Sequence, residues 1–398
     1  MREARVVVCR VCVIATVVAV LGTMAGSGQA VNRTAAVRTT VGPTRLMSPG
    51  FGYSVAYRTV ETGTTARTTI GLFLYQDGGW RNVTPPMLGA DGIDAIDDVA
   101  FVDRRHGWVA AYNCATVAVH LYRTSDGGRS WQSLGKPTDH SCGGGPTFLS
   151  FIDEMHGWME PVSPNGPVGE LLGTSDGGRT WKHLGSGPLS QVRPSPGLPC
   201  LAPIRFVSRS LGWMARCGDG RIFSTDDGGR RWSRVLIPTP GASDARFDLP
   251  AFSGEAGTVA ATLGTRPVTA TGSTRAVAFS VSPDGGRHWA VRSTREVASC
   301  PLRPYYTALW PASVANAQVW WIVAGRSRPV VQVTTDAGRR WRTVAARGLP
   351  TRRCSVTTVS AAGPNVALLV AREGRYGSAL FQTRNGGRNW HRTVLLRG

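Results

Sequence analysis

The sequence TSDGGRSW, residues 124–131, occurs in closely similar form five more times along the chain. The other copies are TSDGGRTW at 174–181, TDDGGRRW at 225–232, SPDGGRHW at 282–289, TTDAGRRW at 334–341 and TRNGGRNW at 383–390. Every copy keeps a Ser or Thr, an Asp or Asn two residues later, a second Gly and a closing Trp; we call this segment the octet. Six copies indicate a repeat architecture, because a catalytic centre needs only one site.

The octets recur at a nearly constant interval. Their acidic or amide positions are Asp126, Asp176, Asp227, Asp284, Asp336 and Asn385. The intervals between these positions are 50, 51, 57, 52 and 49 residues, and a degenerate seventh copy, YQDGGWRNV, places Asp77 another 49 residues upstream. A second signature precedes the octets, as FVDRRHGWVA at 101–110, FIDEMHGWME at 151–160 and FVSRSLGWMA at 206–215, with looser versions elsewhere.

Each repeat predicts four short strands. An apolar strand, a tight turn and a second strand carrying Trp or Val form a hairpin; a third strand enters the octet, and the octet Trp begins the fourth. Seven such units predict an all-β fold, a seven-bladed β-propeller of four-stranded antiparallel blades. A linear solenoid is the alternative, and it is disfavoured because solenoid repeats are typically shorter and need distinct caps.

The repeated chemistry within the octet indicates a structural turn. The Asp or Asn side chain can accept hydrogen bonds from the amides that follow it, which closes an Asx-type turn. The second Gly is present in all six copies, whereas the first is Ala337 in one of them. We therefore predict positive φ at the second position and not at the first. The tryptophans expected to cover the turn and pack on the neighbouring sheet are Trp131, Trp181, Trp232, Trp289, Trp341 and Trp390.

The octet resembles the Asp-box, also called the BNR repeat, S/T-x-D-x-G-x-x-W. That motif is found in sialidases, in sortilin-type receptors, in some glucan-cleaving propellers and in the photosystem II stability and assembly factor family. The F-x-D-x-x-H-G-W signature is most similar to the photosystem II assembly-factor branch, and the sialidase and sortilin propellers are more distant. The resemblance implies seven blades with the octet as a turn at the rim, and an arginine patch that grips a partner protein in that branch. The arginines of this chain do not map onto that patch residue by residue.

The first thirty residues predict a secretory signal peptide. MREAR and Arg10 give a positive start, VCVIATVVAVLGTMA is an apolar core, and GQA supplies small residues for cleavage after Ala30. The apolar run is short for a membrane span of ~20 residues, although an uncleaved anchor remains the alternative. We expect residues 31–43 to be a linker, residues 44–398 to be the propeller, and the product to be a secreted or extracytoplasmic monomer at the cell envelope with no span after cleavage.

Export also bears on the cysteines. Six remain after the signal peptide: Cys114, Cys142, Cys200, Cys217, Cys300 and Cys354. An even number in an oxidising compartment predicts three disulfides, although six cysteines allow 15 pairings.

The hairpin and octet turns should lie at one end of the propeller, which we call the octet face. The long connections 85–98, 185–203, 238–250 and 294–306 should lie at the opposite end, the loop face, together with the cysteines paired 114–142, 200–217 and 300–354.

The formal charge is +20, and only Lys136 and Lys182 among the 45 basic residues are lysine. This arginine excess fits either a GC-rich genome or a surface that meets anionic partners. No basic run or nucleic-acid motif is present, which disfavours nucleic-acid binding.

Tyrosine and arginine residues predict a binding surface on the loop face. They are Arg303, Tyr305, Tyr306, Arg352, Arg353 and Tyr376. These residue types anchor interfaces and stack on sugars, although ordinary packing between loops explains them equally well.

We expect no cofactor and no metal. Cys114, His120, His140 and Cys142 could ligate zinc, but a disulfide beside two surface histidines is the better explanation in an exported protein. The sequence therefore predicts a non-enzymatic binding or assembly module whose partner is a protein or an anionic glycan.

Several enzyme classes lack their motifs here. There is no Ser-His-Asp arrangement, phosphate loop or dinucleotide fingerprint, and the residues of a sialidase site are missing. The alternative function is a carbohydrate-active hydrolase with two carboxylates at the centre of the propeller, for example Asp98 and Glu160.

Overall fold

The chain forms seven antiparallel sheets, each built from consecutive strands. The structure, a computed structural model, describes residues 36–62, 65–116, 118–137, 147–161, 170–186, 203–215, 221–239, 244–264, 273–301, 312–324, 329–351, 356–374 and 376–396. Six of the sheets have four strands, and the fifth along the chain has a divided first strand. The predicted seven-bladed β-propeller is thus confirmed.

The blades are numbered I to VII along the chain. Blade I consists of β1 (Ala36–Ser48), β2 (Phe51–Thr62), β3 (Thr65–Gln76) and β4 (Gly79–Asn82), and a short 3-10 helix, Pro86–Leu88, follows it. Blade II consists of β5 (Ala95–Phe101), β6 (Gly107–Asn113), β7 (Ala118–Thr124) and β8 (Gln132–Gly135). Blade III consists of β9 (Thr147–Phe151), β10 (Gly157–Pro161), β11 (Glu170–Thr174) and β12 (Lys182–Ser186). Blade IV consists of β13 (Ile204–Phe206), β14 (Gly212–Ala215), β15 (Ile222–Thr225) and β16 (Ser233–Val235).

Blade V consists of β17 (Asp244–Phe247), β18 (Ala251–Ser253), β19 (Ala256–Gly264), β20 (Ser273–Ser282) and β21 (Ala290–Pro301). Blade VI consists of β22 (Ala312–Val314), β23 (Trp320–Ala324), β24 (Val330–Thr334) and β25 (Arg342–Ala345). Blade VII consists of β26 (Val356–Ala361), β27 (Ala367–Glu373), β28 (Gly377–Thr383) and β29 (His391–Thr393).

The first strand of each blade lies innermost, next to the propeller axis. Strand β1 contacts β5, β5 contacts β9, β9 contacts β13, and β26 contacts both β22 and β1. The ring closes where blade VII meets blade I, because the backbone N–H of Leu46 donates to Ser360 Oγ at 2.8 Å and that of Val41 donates to Ser378 Oγ at 2.8 Å. Strand β1 begins within the stretch 31–43 that we expected to be a linker.

Repeated aromatic residues join neighbouring blades. The Trp108 ring of blade II stacks on Phe151 of blade III at 3.7 Å between centroids, and its indole N–H donates to the carbonyl of Gly177 at 2.9 Å. The same arrangement joins blades III and IV, where Trp158 stacks on Phe206 at 3.8 Å. The Phe and Trp of the second signature therefore fill the layers between blades, where their large apolar surface is buried.

The octets form tight turns held by their Asp side chains. In blade II, Thr124 Oγ1 donates to Asp126 Oδ1 at 2.9 Å, and the N–H groups of Arg129 and Ser130 donate to the same oxygen. The Ser130 hydroxyl donates to Asp126 Oδ2, and these bonds together lower the pKa of Asp126 to about 2. Each octet turn lies against the hairpin turn of its own blade, as where the Gly127 N–H donates to the Arg105 carbonyl at 2.8 Å. Both turns therefore lie on the octet face.

Both glycines of the octet adopt positive φ, so the prediction that only the second one does is wrong. In blade II, φ is 73° at Gly127 and 75° at Gly128, and Ala337 itself has φ 56°. The second glycines lie close to side chains of the preceding blade, whereas most first glycines lie close to their own hairpin turn, as where a Cβ added at Gly127 would lie 2.6 Å from the Arg104 carbonyl oxygen. A Cβ added at Gly229 would lie 2.3 Å from a methyl carbon of Leu171, whereas one at Gly285, a first glycine, would meet no atom within 4 Å.

Three stretches expected to be loops contain strands. Strand β5 takes up the end of 85–98, β17 lies within 238–250, and β21 extends into 294–306. The alternation of apolar and polar residues fails at β5 because its register shifts between Ile96 and Asp98, and a bulge of this kind breaks the two-residue period of a strand.

Candidate functional site

Most of the predicted binding surface lies outside the described residues. Arg303, Tyr305, Tyr306, Arg352 and Arg353 belong to that group. Tyr376 is described; it lies in the turn between β27 and β28 and is 61% exposed. The predicted surface therefore stays a prediction.

The predicted disulfides are likewise not tested. Cys114 follows β6 and Cys300 lies in β21, whereas Cys142, Cys200, Cys217 and Cys354 lie outside the described residues. The signal peptide 1–30 and His140 also lie outside them.

Four charged residues from four blades surround the propeller axis, and we call them the axial cluster. Arg45 lies on β1, Asp98 on β5 and Arg205 on β13, which are all innermost strands. Asp248 lies where the innermost strand of blade V is divided between β17 and β18. Innermost strands surround the axis of a propeller, so side chains from these strands can meet there.

The two arginines occupy the same position of the repeat. Arg45 is followed by Leu46, which pairs with Gly52 at the start of the hairpin. Arg205 is followed by Phe206, which pairs with the equivalent Gly212. The other blades carry Ala or Ser at this position: Ala100, Ser150, Ala251, Ser313 and Ser360.

The charge of Arg45 affects the pKa values of the other three residues, so the four side chains lie near one another. Burial raises the pKa of Asp98 to about 6, while hydrogen bonds from Leu149 and Val99 and the charge of Arg45 oppose that rise. Burial also raises the pKa of Asp248, against the charges of Arg205 and Arg45. Burial and, to a smaller extent, the charge of Arg45 lower the pKa of Arg205 to about 10, against the opposing charges of Asp248 and Tyr53. Because Arg45 acts on residues of blades II, IV and V at once, its guanidinium lies near the axis.

The carboxylates of the axial cluster already accept backbone hydrogen bonds. Asp98 Oδ1 accepts from the Val99 N–H at 2.8 Å, and its Oδ2 accepts from the Leu149 N–H of blade III at 2.9 Å. Asp248 Oδ1 accepts from the Leu249 N–H at 2.7 Å. These carboxylates therefore satisfy backbone groups at irregular points of the innermost strands, where the ladder leaves donors unpaired.

The two arginines differ in their partners. Arg205 Nη1 donates to the carbonyls of Leu249 at 3.1 Å and Pro250 at 3.0 Å, which ties blade IV to blade V. Arg45 is exposed, and no described residue forms a hydrogen bond or a close ion pair with it. Arg45 is thus the group of the axial cluster that is available to a ligand.

Asp97 adds a second carboxyl next to Asp98. Its Oδ2 accepts from the Thr147 N–H at 3.1 Å. Burial raises the pKa of Asp97 to about 8, and the neighbouring charge of Asp98 contributes to the rise. Asp97 is therefore largely protonated at neutral pH.

The sheet of blade III separates Asp98 from Glu160. Leu149 and Met159 of that sheet pack towards blade II, the side from which Asp98 reaches the Leu149 N–H. Glu160 lies two residues from Trp158 and so shares its face, which packs on Phe206 of blade IV. Glu160 is fully buried, and burial raises its pKa well above the ordinary value. The two carboxyls that the alternative hydrolase hypothesis places at the centre are not brought together.

Sequence reasoning missed Arg45 and Arg205 as site residues. The available signal was an arginine directly before an apolar residue near the end of a first strand, in TRLMSP at 44–49 and APIRF at 202–206. Within the described ranges, no group of three or more His, Cys, Asp and Glu residues is arranged to hold a metal ion. The same ranges include no helix with the length and apolar character needed to cross a bilayer.

Comparisons with known proteins agree with the fold. No protein-family profile and no curated protein sequence matches the chain, whereas 190 chains of solved structures do. A polysaccharide lyase, the PL25 ulvan lyase, is 12% identical with a TM-score of 0.53, over 90% of this chain and 96% of that chain. At this identity the likeness shows a shared fold alone.

Two further matches carry the name YCF48. The structure described as YCF48 bound to D1 peptide is 21% identical over 75% of this chain and 80% of that chain, with a TM-score of 0.45. YCF48 from Cyanidioschyzon merolae is 16% identical over 79% of this chain and 88% of that chain, with a TM-score of 0.47.

Proposed function

We propose that this chain is a secreted, non-enzymatic binding or assembly module of the cell envelope. It binds a protein partner, and an acidic group of that partner lies at the propeller axis. The observation that carries this proposal is Arg45, an exposed guanidinium beside the axis with no hydrogen-bond partner among the described residues. The neighbouring carboxylates are occupied by backbone N–H groups. The arrangement therefore offers a cationic binding group and few unoccupied acids.

A carboxylate is the chemical group that fits Arg45. Guanidinium binds carboxylate in a planar, two-pronged geometry, and such charge-assisted hydrogen bonds are stronger than neutral ones. Arg205 lies close enough for the charge of Arg45 to lower its pKa, so Arg205 adds positive potential where the ligand would lie. The formal charge of +20 would speed the encounter with an anionic partner.

Secretion rests on the N-terminal sequence. The basic start, the apolar core and the small residues that end at Ala30 are typical of an exported protein. Six cysteines suit an oxidising compartment in which three disulfides would fasten the loop face.

The proposal is tested by affinity capture from envelope extracts. Wild type and Arg45→Gln serve as baits, and Arg234→Gln is the matched control because Arg234 is exposed on β16, the outermost strand of blade IV. We expect Arg45→Gln to weaken capture of the partner by about tenfold or more, since loss of one member of an interfacial charge pair costs a few kcal/mol. Equal capture by wild type and Arg45→Gln would refute binding at the axis.

One observation favours hydrolysis as a second candidate function. Asp97 and Asp98 have pKa values of about 8 and about 6, and a carboxyl that titrates near neutrality can act as a general acid. A screen on acidic and neutral oligosaccharides tests this candidate. Cleavage by wild type that is lost in each of the single variants Asp97→Asn and Asp98→Asn would establish the hydrolase function. Absence of cleavage by the folded wild type would exclude it for these substrates.

A further inference from the structure

The octet of blade VII borders an open pocket. The pocket measures about 390 Å³ and is lined by Gln382, Arg384, Asn385, Asn389 and His391. None of these residues belongs to the axial cluster. All five side chains carry hydrogen-bond donors, and none is a carboxylate.

The pocket lies where the last blade meets the first. Gln382 pairs with His391 across β28 and β29, so both side chains are on one face of the sheet. Leu380 shares that face with Gln382 and packs with Tyr75 of blade I. Arg384 donates to the Gly78 carbonyl of blade I at 2.8 Å.

Asn385 makes this octet different from the other five. In those octets an Asp carboxylate organises the turn, and in blade II its second oxygen accepts from the Ser130 hydroxyl. In blade VII, Asn385 Oδ1 still organises the turn, because it accepts from the Asn389 N–H at 3.0 Å and from Thr383 Oγ1 at 3.1 Å. The amide nitrogen replaces the second oxygen. The turn is preserved while its negative charge is exchanged for a neutral donor.

Gln382 supplies a second unusual feature. The residue is 9% exposed, and its side-chain nitrogen is buried without a hydrogen-bond partner in the described part of the chain. Trp80 of blade I, which packs in the same layer between blades VII and I, has an unpartnered indole N–H as well. Buried donors are nearly always hydrogen-bonded in folded proteins, so the described part of this junction is short of acceptor groups.

We propose that this pocket binds an acidic sugar, a hydroxylated ring that carries one carboxylate. Arg384 supplies positive charge for the carboxylate, and the imidazole of His391 offers a ring N–H donor. The three carboxamides of Gln382, Asn385 and Asn389 can donate and accept, as ring hydroxyls do. A ligand seated there would contact both blades at the closure of the ring. The inference does not depend on the proposed partner at the axis, because it uses different residues at a different place.

Isothermal titration of the full chain with sodium glucuronate tests the inference. The informative variant is Asn385→Asp, which places beside the ligand the carboxylate that five other octets already contain and therefore should fold. The matched control is Asp336→Asn, the reverse exchange in the octet of blade VI. We expect saturable binding by wild type and by Asp336→Asn, and binding at least about tenfold weaker by Asn385→Asp because of charge repulsion.

Two further ligands separate the parts of the proposal. Glucose, which lacks the carboxylate, should bind far more weakly than glucuronate. Inorganic sulfate, which lacks the hydroxylated ring, should also be a weak competitor. No binding of glucuronate to the folded wild type, or unchanged binding by Asn385→Asp, would overturn the inference. Sulfate binding as tight as that of glucuronate would overturn the assignment to a sugar.

Discussion

At the scale of single residues, the charged groups near the axis serve the backbone of the innermost strands. Asp97 and Asp98 lie on β5 at a register shift, and each accepts an N–H from β9 of the next blade. The carboxyls thereby replace ladder bonds that an irregular strand cannot make. Enclosure by protein raises their pKa values, which makes the stability of the fold depend on pH.

Asp97→Asn should reduce that pH dependence. The pKa of Asp97 is about 8 in the folded chain, against an ordinary value of 3.8. A raised pKa means that folding favours the protonated acid, so its contribution is complete below about pH 4 and is lost as pH rises towards 8. Asparagine keeps an oxygen for the Thr147 N–H and cannot ionise. We expect the free energy of unfolding of wild type, measured with urea from pH 4 to pH 8, to fall more steeply than that of the variant.

The size of this effect is measurable, and a control is available. One pKa unit corresponds to about 1.4 kcal/mol, so even part of the shift exceeds the error of a denaturation curve. Asp226→Asn, at an exposed residue within the octet of blade IV, should follow the wild-type curve. A parallel course of Asp97→Asn and wild type would contradict the assignment.

The octet glycines give a second prediction at the residue scale. Gly229→Ala should destabilise the fold by roughly 2–4 kcal/mol, because strain at positive φ adds to a clash with Leu171. Gly285→Ala should cost only about 1 kcal/mol, since its Cβ would enter open space. Thermal or urea denaturation of both variants provides the comparison. Equal losses of stability in the two variants would show that positive φ alone requires glycine at the second position, and that the contact with the preceding blade does not.

At the scale of elements, one blade is joined to the next through a tryptophan of its second strand. Trp158 stacks on Phe206 and donates to the Gly228 carbonyl at 3.0 Å. Trp213 stacks on Phe252 at 4.3 Å, but its indole N–H is buried with no acceptor among the described residues. The stacked tryptophan between blades thus occurs once with an indole hydrogen bond, at Trp158, and once without one among the described residues, at Trp213.

This pair allows the hydrogen bond to be measured. Trp158→Phe and Trp213→Phe remove similar volumes and leave an aromatic ring to stack. We expect Trp158→Phe to lose about 1 kcal/mol more than Trp213→Phe, since it also leaves the Gly228 carbonyl without its donor. The measurement is the difference in free energy of unfolding between the two variants. A larger loss in Trp213→Phe would contradict this account of the inter-blade layer.

The elements also show what sequence reasoning could reach. The hairpin and octet of a blade were predictable, because the Phe, Trp and Gly that build them repeat at fixed spacing. The innermost strands were harder. In blade V the strand is divided around Asp248 and Pro250, and in blade II its register shifts before Asp98, so the alternation that marks a strand is lost.

At the scale of the whole molecule, seven similar blades close into a ring, and the residues that line its axis do not follow the repeat. The period near fifty residues was enough to predict the number of blades. The axial cluster could not be predicted in the same way, since it combines Arg45, Asp98, Arg205 and Asp248 from four repeats that differ at these positions. Their proximity follows from ring closure, which no local pattern encodes.

Site-directed photo-crosslinking tests the central claim, partner binding at the axis, most directly. A photoreactive residue at Ala251 leaves Arg45 intact and lies on innermost strand β18 at the equivalent repeat position. The control places the same residue at Ser233, exposed on outermost strand β16. In envelope extracts, we predict a crosslinked protein partner from position 251 that is lost on Arg45→Gln, and none from position 233. Crosslinking from position 233 alone, or from position 251 regardless of Arg45, would contradict the account.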